Sequence, residues 1–241
     1  MLSLSKNMTI CKITSVAILL AAFALGSCSK DDDENEENNK NVENEHEYVD
    51  LGLPSGTLWA TCNVGASKPE EYGFYFAWGE TEPKETYWWL SYKLCEGSPE
   101  TMTKYCGNSD FGVVDNKTEL DPEDDAATAN WGSDWCMPTN EQQRELTDTS
   151  YTIQEWTIKN GIQGTEIISK KNGNSIFLPA AGLRFSGELE EASSAGYYWS
   201  RSLFSFVPDC ARMLELHSVS CHALNFDNRK NGYSVRPVRC K

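Results

Sequence analysis

Tyr48-Val49-Asp50-Leu51-Gly52-Leu53 and Thr57-Leu58-Trp59-Ala60-Thr61 flank the tripeptide Pro54-Ser55-Gly56. Two short runs mixing β-branched, aliphatic and aromatic residues around a Pro/Gly turn read as a β-hairpin. The same grammar recurs along the chain. Glu166-Ile167-Ile168-Ser169 and Ser175-Ile176-Phe177-Leu178 flank Lys171-Asn172-Gly173-Asn174. Asn-Gly there favours a two-residue turn with positive φ at both central positions. Tyr72 to Trp78 reads as an aromatic strand ending at Gly79, with a Pro83 loop leading to Trp88-Trp89. Such rings are expected in the core or in sheet packing. The end of the chain predicts four more strands, over 196–200, 211–217, 219–226 and 233–239. Pro237 has no N–H to give a ladder, so the last strand is expected on an edge or with a bulge.

Two helix starts interrupt the strands. In Asp121-Pro122-Glu123-Asp124-Asp125-Ala126-Ala127, Asp121 suits the cap, Pro122 the first helical position, and the acids the positive end of the dipole; Gly132 ends the helix. In Met137-Pro138-Thr139-Asn140-Glu141-Gln142, Thr139 and Gln142 stand at capping-box spacing, for a helix running to about Leu146 or Thr147. Short strands with two short helices in one unbroken composition give a single α+β domain over residues 48–241. The acids Asp121 to Asp125 raise the question of calcium. That ion wants six to eight converging oxygens, and successive helical residues point apart, so no metal is expected.

The 241 residues carry a net charge of -15, unevenly spread. Residues 1–27 hold only Lys6 and Lys12. Residues 28–47 hold nine acids against Lys30 and Lys40. An acidic chain repels phosphate backbones, so nucleic acid is not an expected partner. The uncharged stretch from Ile13 to Leu25 would reach about 20 Å as a helix, short of a hydrocarbon core of about 30 Å. Basic start, short apolar middle and small residues before a break describe a secretory signal peptide over residues 1–27. Leu25-Gly26-Ser27-Cys28 resembles the lipobox of bacterial lipoproteins, which makes Cys28 the lipid attachment point and mature N-terminus. Ser29-Lys30-Asp31-Asp32-Asp33-Glu34 resembles the acidic signal that sends Bacteroidetes lipoproteins to the outer face of the outer membrane. Residues 28–47, rich in Asp, Glu and Asn, hold too little apolar surface to fold and read as an acidic disordered tether.

Outside the cytoplasm, Cys62, Cys95, Cys106, Cys136, Cys210, Cys221 and Cys240 are expected to pair, with one left over. Cys95–Cys106 closes a turn-rich loop and would stabilise by about 3 kcal/mol. Cys210–Cys221 meets an objection. A hairpin turning near Ser218 places Cys210 opposite about residue 226, out of reach of Cys221. His217 and His222, with Cys221 beside the second, suggest zinc. Counted along one strand the two histidines fall on opposite faces, and surface histidines are the plainer reading. No nucleophile elbow is present.

Further segments extend the pattern: Tyr75-Phe76-Ala77-Trp78-Gly79-Glu80, Asn130-Trp131-Gly132, Trp135 with Met137-Pro138-Thr139, Phe177-Leu178-Pro179-Ala180-Ala181-Gly182, Tyr198-Trp199-Ser200 and Gly232-Tyr233-Ser234-Val235-Arg236-Pro237-Val238. With Val49 to Ala60 and Asp124-Asp125-Ala126-Ala127, their order and wording resemble the Fibrobacter succinogenes major paralogous domain across nearly all of residues 48–241. That family is similar to the C-type-lectin-like fold, shared with formylglycine-generating enzymes and hypervariable binding proteins. The resemblance implies two helices flanking a small twisted sheet, a last strand returning near the first, and a ligand surface in the loops of residues 199–231. It also makes Cys136 with Cys240 a pair, because the capped helix and the last strand are neighbours in the family fold. Two departures matter. Cys136 stands where the family has arginine, and the calcium-dependent sugar-binding motifs of true C-type lectins are missing.

The resulting expectation is a surface-exposed lipoprotein of the outer membrane acting as a non-catalytic binding or adhesion module for glycan or protein. Rings stack on sugar or apolar faces, while amides and arginines supply directional bonds. The candidates for that contact are Trp199, Arg201, Phe204, Asn225, Asp227, Asn228 and Arg229. No cofactor or catalytic residue is expected. A structural subunit of a fimbria-like or envelope coat is the alternative, for which an unpaired strand edge would speak. A formylglycine-generating-type enzyme would need two cysteines close together in a cleft.

Overall fold

The opening hairpin forms as the sequence dictates. In the computed structural model, which describes residues 46–240, β1 (Tyr48–Asp50) pairs antiparallel with β2 (Leu58–Ala60), with Val49 opposite Trp59. Gly56 N–H closes the turn on Leu53 O at 2.8 Å. The signal peptide, Cys28 and nearly all of the acidic tether lie outside the described residues. Among those described, no helix is long and apolar enough to cross a membrane.

The chain continues through α1 (Ala126–Trp131), β3 (Trp135–Cys136) and α2 (Asn140–Leu146). Then come β4 (Thr152–Lys159), β5 (Ile162–Ser169), β6 (Ser175–Pro179), β7 (Leu183–Phe185) and β8 (Glu188–Glu190). It ends with β9 (Ala195–Leu203), β10 (Cys210–His217), β11 (Ser220–Asn228) and β12 (Val238–Arg239). Among the described residues four small sheets result, ordered β1-β2-β12-β3, β11-β10-β9, β4-β5-β6 and β7-β8, and every named strand pair is antiparallel. With two helices among them, the class is α+β. The last strand lies between β2 and β3, so the chain's end closes onto its opening hairpin.

Local chemistry explains both helices, with one correction. Thr139 and Gln142 make the reciprocal capping box at the start of α2. For α1 the cap is Asp125, not Asp121. Pro122–Asp124 forms a 3-10 turn, and the Asp125 carboxylate accepts the Ala127 and Thr128 N–H groups at 2.9 and 3.0 Å. Asp121 is held elsewhere, by Lys104 and Lys117. Gly132, at φ 92°, ends α1 as expected.

Three strand expectations also change. Residues 72–78 form no strand. Phe74, Phe76 and Trp78 donate to Val64, Tyr233 and Arg229, so alternate N–H groups are satisfied with only one isolated bridge, Phe76 to Tyr233. The Asn172-Gly173 turn is longer than two residues, and only Gly173 takes positive φ there, at 76°. Ser169 N–H donates to Asn174 O, and the Asn172 and Asn174 amides both donate to Asp50 O, which ties the loop to β1. The final strand begins after Pro237 and is interior. Pro237 instead accepts from Ala60 N–H at 2.9 Å.

One core cluster gathers Leu51, Trp59, Leu146, Ile167, Leu178, Leu214 and Val238 between α2 and three of the sheets; a second gathers Phe76, Trp78, Trp199, Met213 and Tyr233. Arg236, fully enclosed, fastens the first sheet to β6. Its guanidinium donates to Asn63 Oδ1 and to the carbonyls of Ala60, Thr61 and Phe177. Burial lowers its pKa from the usual arginine value. Such a cation without a carboxylate partner is tolerated only because its donors find fixed acceptors.

Cys136 and Cys240 form a disulfide, with Cα atoms 5.6 Å apart, joining β3 to the residue after β12. The expected Cys95–Cys106 bridge is not made. Cys95 and Cys106 are free thiols turned to the carbonyls of Trp89 and Asn108. Cys210 lies opposite Asn228 and Cys221 opposite Leu216, six residues further along β10, as the hairpin objection anticipated. Burial pushes both thiols up to about 12.

Candidate functional site

β9, β10 and β11 form a sheet whose one face packs on α2, through Leu214, Leu216 and Ala223. At the end of that face nearest the β9–β10 loop, Arg212 pairs across the ladder with Phe226. Directly paired antiparallel residues share a face. Phe204 stacks on Phe226 with centroids 3.8 Å apart, and the Arg212 guanidinium lies 4.4 Å over the Phe204 ring. Phe206, at the loop tip, tilts against Phe204 at 5.6 Å and is 85% exposed. The result is three phenyl rings and a cation gathered at the surface, Phe206 and Phe226 exposed and Phe204 and Arg212 half-buried.

The loop beneath them is well fixed. Phe204 N–H donates to Cys210 O, Val207 N–H to Phe204 O and Cys210 N–H to Val207 O. Below the loop, Arg229 Nη1 donates to Pro208 O at 2.9 Å. Along the outer edge of β9, Leu203 N–H donates to Thr118 O and Leu120 N–H to Arg201 O, so residues 118–120 cover that edge. Arg201 clasps Glu119 with two bonds of 3.0 and 2.7 Å. Between this cover, α2 and the rings opens a cleft of about 310 Å³, lined by Thr118, Arg144, Ser202, Ser205, Phe206 and Arg212 among others. It adjoins a second hollow of about 460 Å³ along α2, reaching Tyr151 and Leu224; Glu141 and Arg144 border both.

Of the seven residues expected to meet a ligand, the structure leaves Arg201 and Phe204 at this surface. Trp199 is corrected. It is enclosed, stacks on Tyr233 at 4.2 Å and donates its indole N–H to Phe76 O. Arg229 is corrected too. It is enclosed among the rings of Trp78, Tyr92 and Tyr105, and its donors serve Tyr92 Oη and the carbonyls of Lys104, Tyr105 and Pro208. Asn225, Asp227 and Asn228 are half-buried and engaged inside the fold. The Asn225 amide donates to Glu215, Asp227 accepts from Asn231 and Tyr233, and the Asn228 amide donates to Cys210 Sγ. Phe206, Arg212 and Phe226 were missed. The signal that finds them is the β10–β11 register, which pairs Arg212 with Phe226 and turns both outward.

The acidic run behaves differently from a helical one. As a 3-10 turn, it brings the Asp121, Glu123 and Asp124 carboxylates together, but Lys104 Nζ lies between them at 2.9, 3.1 and 2.5 Å. A side-chain ammonium thus stands where a cation would. Bonds from Lys117 and Lys104 hold the Asp121 carboxyl down to about 2. The histidine pair also corrects the count along a single strand. His217 ends β10, His222 lies in β11 opposite Glu215, and residues 215 and 217 share a face, so both histidines belong to one side of the sheet. His217 Nε2 bonds Glu215.

A second set of exposed rings lies apart from this face: Trp88 and Phe185, with centroids 6.2 Å apart and the Lys230 ammonium 4.5 Å over Phe185. Trp88 is half-exposed, against the expectation that it would pack inside. No family model matches the chain, and no curated protein or solved structure shows significant similarity to it.

Proposed function

We propose that the chain is a surface-exposed lipoprotein of the outer membrane, anchored through Cys28, whose head is a non-catalytic module of C-type-lectin-like architecture binding glycan or protein. Two short helices beside small antiparallel sheets, and a last strand returning to the first hairpin, support the architecture. The observation that carries the binding reading is the cluster of Phe204, Phe206 and Phe226 with Arg212, gathered at the surface around a loop whose backbone is tied at Phe204, Val207 and Cys210. Large rings left in water at a fixed position cost the free chain little entropy on binding, and they suit the face of a sugar or an apolar side chain. The test is glycan-array binding by the purified full chain with and without EDTA. Retention of glycans in both conditions supports the reading; retention only with calcium contradicts the metal-free part of it.

A second reading, a coat or fimbria-like subunit, is favoured by β4. This eight-residue strand is the outer member of its sheet, with Ile153 and Ile158 exposed. An open edge of that length is a template for another chain. If no glycan is retained and the chain polymerises, this reading replaces the first.

A further inference from the structure

We propose that the cleft under Phe206 reads a carboxylate-bearing sugar, the acid group being held by Arg144 and Arg212. This inference rests on the binding-module reading above and names the ligand class of the same site.

The charges of the cleft point this way. Two acids line it, Glu119 and Glu141. Glu119 is already neutralised by the two-bonded Arg201. Arg144 has no side-chain partner among the described residues, and Arg212 spends one donor on Leu224 O at 3.2 Å while the rest of its fork carries no bond. Two arginines therefore face one uncommitted acid, on a chain whose net charge is -15. Elsewhere Arg229 and Arg236 are spent on carbonyls within the core, Arg201 and Arg239 on carboxylates, while Arg184, which donates to Gly187 O, lies apart from this cleft. An open guanidinium fork matches a carboxylate with two parallel bonds.

The remaining lining selects a sugar over an acidic peptide. A peptide is commonly held by adding a strand to a free edge. Here residues 118–120 already cover the β9 edge at the cleft. What the cleft offers instead is a ring face from Phe206 and the hydroxyls of Thr118 and Ser205, which have no partner among the described residues. Ring face, hydroxyls and paired guanidinium groups match the apolar face, hydroxyls and carboxylate of a uronate-type sugar. At about 310 Å³ the cleft falls at the lower end of ligand-site sizes.

The test titrates the purified full chain with oligogalacturonate, its methyl ester, a neutral hexose oligomer of equal length, and a poly-glutamate peptide. The acid form should bind about tenfold more tightly than the ester, and Arg144→Gln or Arg212→Gln should each remove that preference. Arg144 is exposed and makes no contact that the fold needs, so its variant remains folded even if Arg212→Gln loosens Phe204. Equal binding of acid and ester, or a preference unmoved in Arg144→Gln, overturns the inference and leaves the binding module standing. Tighter binding of poly-glutamate assigns the cleft to an acidic peptide and also overturns it. Absence of binding in all four arms overturns it together with the glycan part of the module reading.

Discussion

Replacing Asp125 with alanine removes a carboxylate that is 2% exposed and accepts three backbone N–H groups, from Ala127, Thr128 and Met137. The first two bonds cap α1. The third ties that cap to the Met137-Pro138-Thr139 turn entering α2, and Pro138 O in turn accepts from Arg201 N–H. One residue thus braces the wall of the cleft. Loss of a cap costs about 1 kcal/mol. Stranding the buried Met137 N–H costs a further 1–3 kcal/mol, for about 2–4 kcal/mol in all. Asp125→Asn keeps one acceptor oxygen and should lose about half as much. Burial pushes the Asp125 carboxyl above its usual range, against the pull of its N–H donors. A raised folded value means that ionisation opposes folding, so the Asn variant should lose its disadvantage, in part, as pH rises above the carboxylate range. Urea unfolding followed by tryptophan fluorescence measures all three proteins. An Asp125→Ala loss under about 0.5 kcal/mol, typical of an unconstrained surface site, would refute the bracing role.

Other expectations follow from single features. Cys136–Cys240 spans 104 residues, so Cys240→Ser should lower stability by up to about 4.7 kcal/mol, and mass mapping without reductant should find this bridge and no Cys95–Cys106 link. Asp121 titrates in the folded chain near 2, below its ordinary value of 3.8. Its contribution is therefore present above about pH 4 and lost as pH falls towards 2; in Lys104→Met that contribution should be smaller and its loss complete at a higher pH in urea midpoints recorded across that range. Because Lys104 occupies the centre of the acid cluster, millimolar calcium should leave the wild-type midpoint unmoved. Cys28→Ala should abolish incorporation of labelled fatty acid in growing cells, and retained label would place the anchor elsewhere.

How much of this was readable from residues depended on range. Thr139 and Gln142 satisfy each other within one turn, so spacing sufficed. The same holds for the opening hairpin, where Pro54-Ser55-Gly56 leaves little choice. Asp121 read as the cap, but Lys104 and Lys117, which lie outside the helix, claim it, and the cap falls to Asp125. The Asn172 turn was stretched by bonds to Asp50, far away in the chain. At the site, composition showed that rings and arginines were plentiful over 199–231 but not which faced outward. Trp199 and Arg229 are inside because β9 and the segment before β12 place them against Tyr233 and Trp78. Phe206 and Arg212 are outside because the β9–β10 loop and the β10–β11 register put them there. A slip of one residue in that register would turn Arg212 inward and bring a neighbour such as Met213 to the surface.

In the proposed reading phenyl rings at the surface of the β9–β10 loop make the binding contact, and Phe206→Ala removes the most exposed of them. Wild type and variant are compared on one glycan array and in one urea titration. Since Phe206 is 85% exposed, its removal should leave stability within about 0.5 kcal/mol while array binding falls about tenfold or more. Undiminished array binding by a normally folded Phe206→Ala chain would contradict the account.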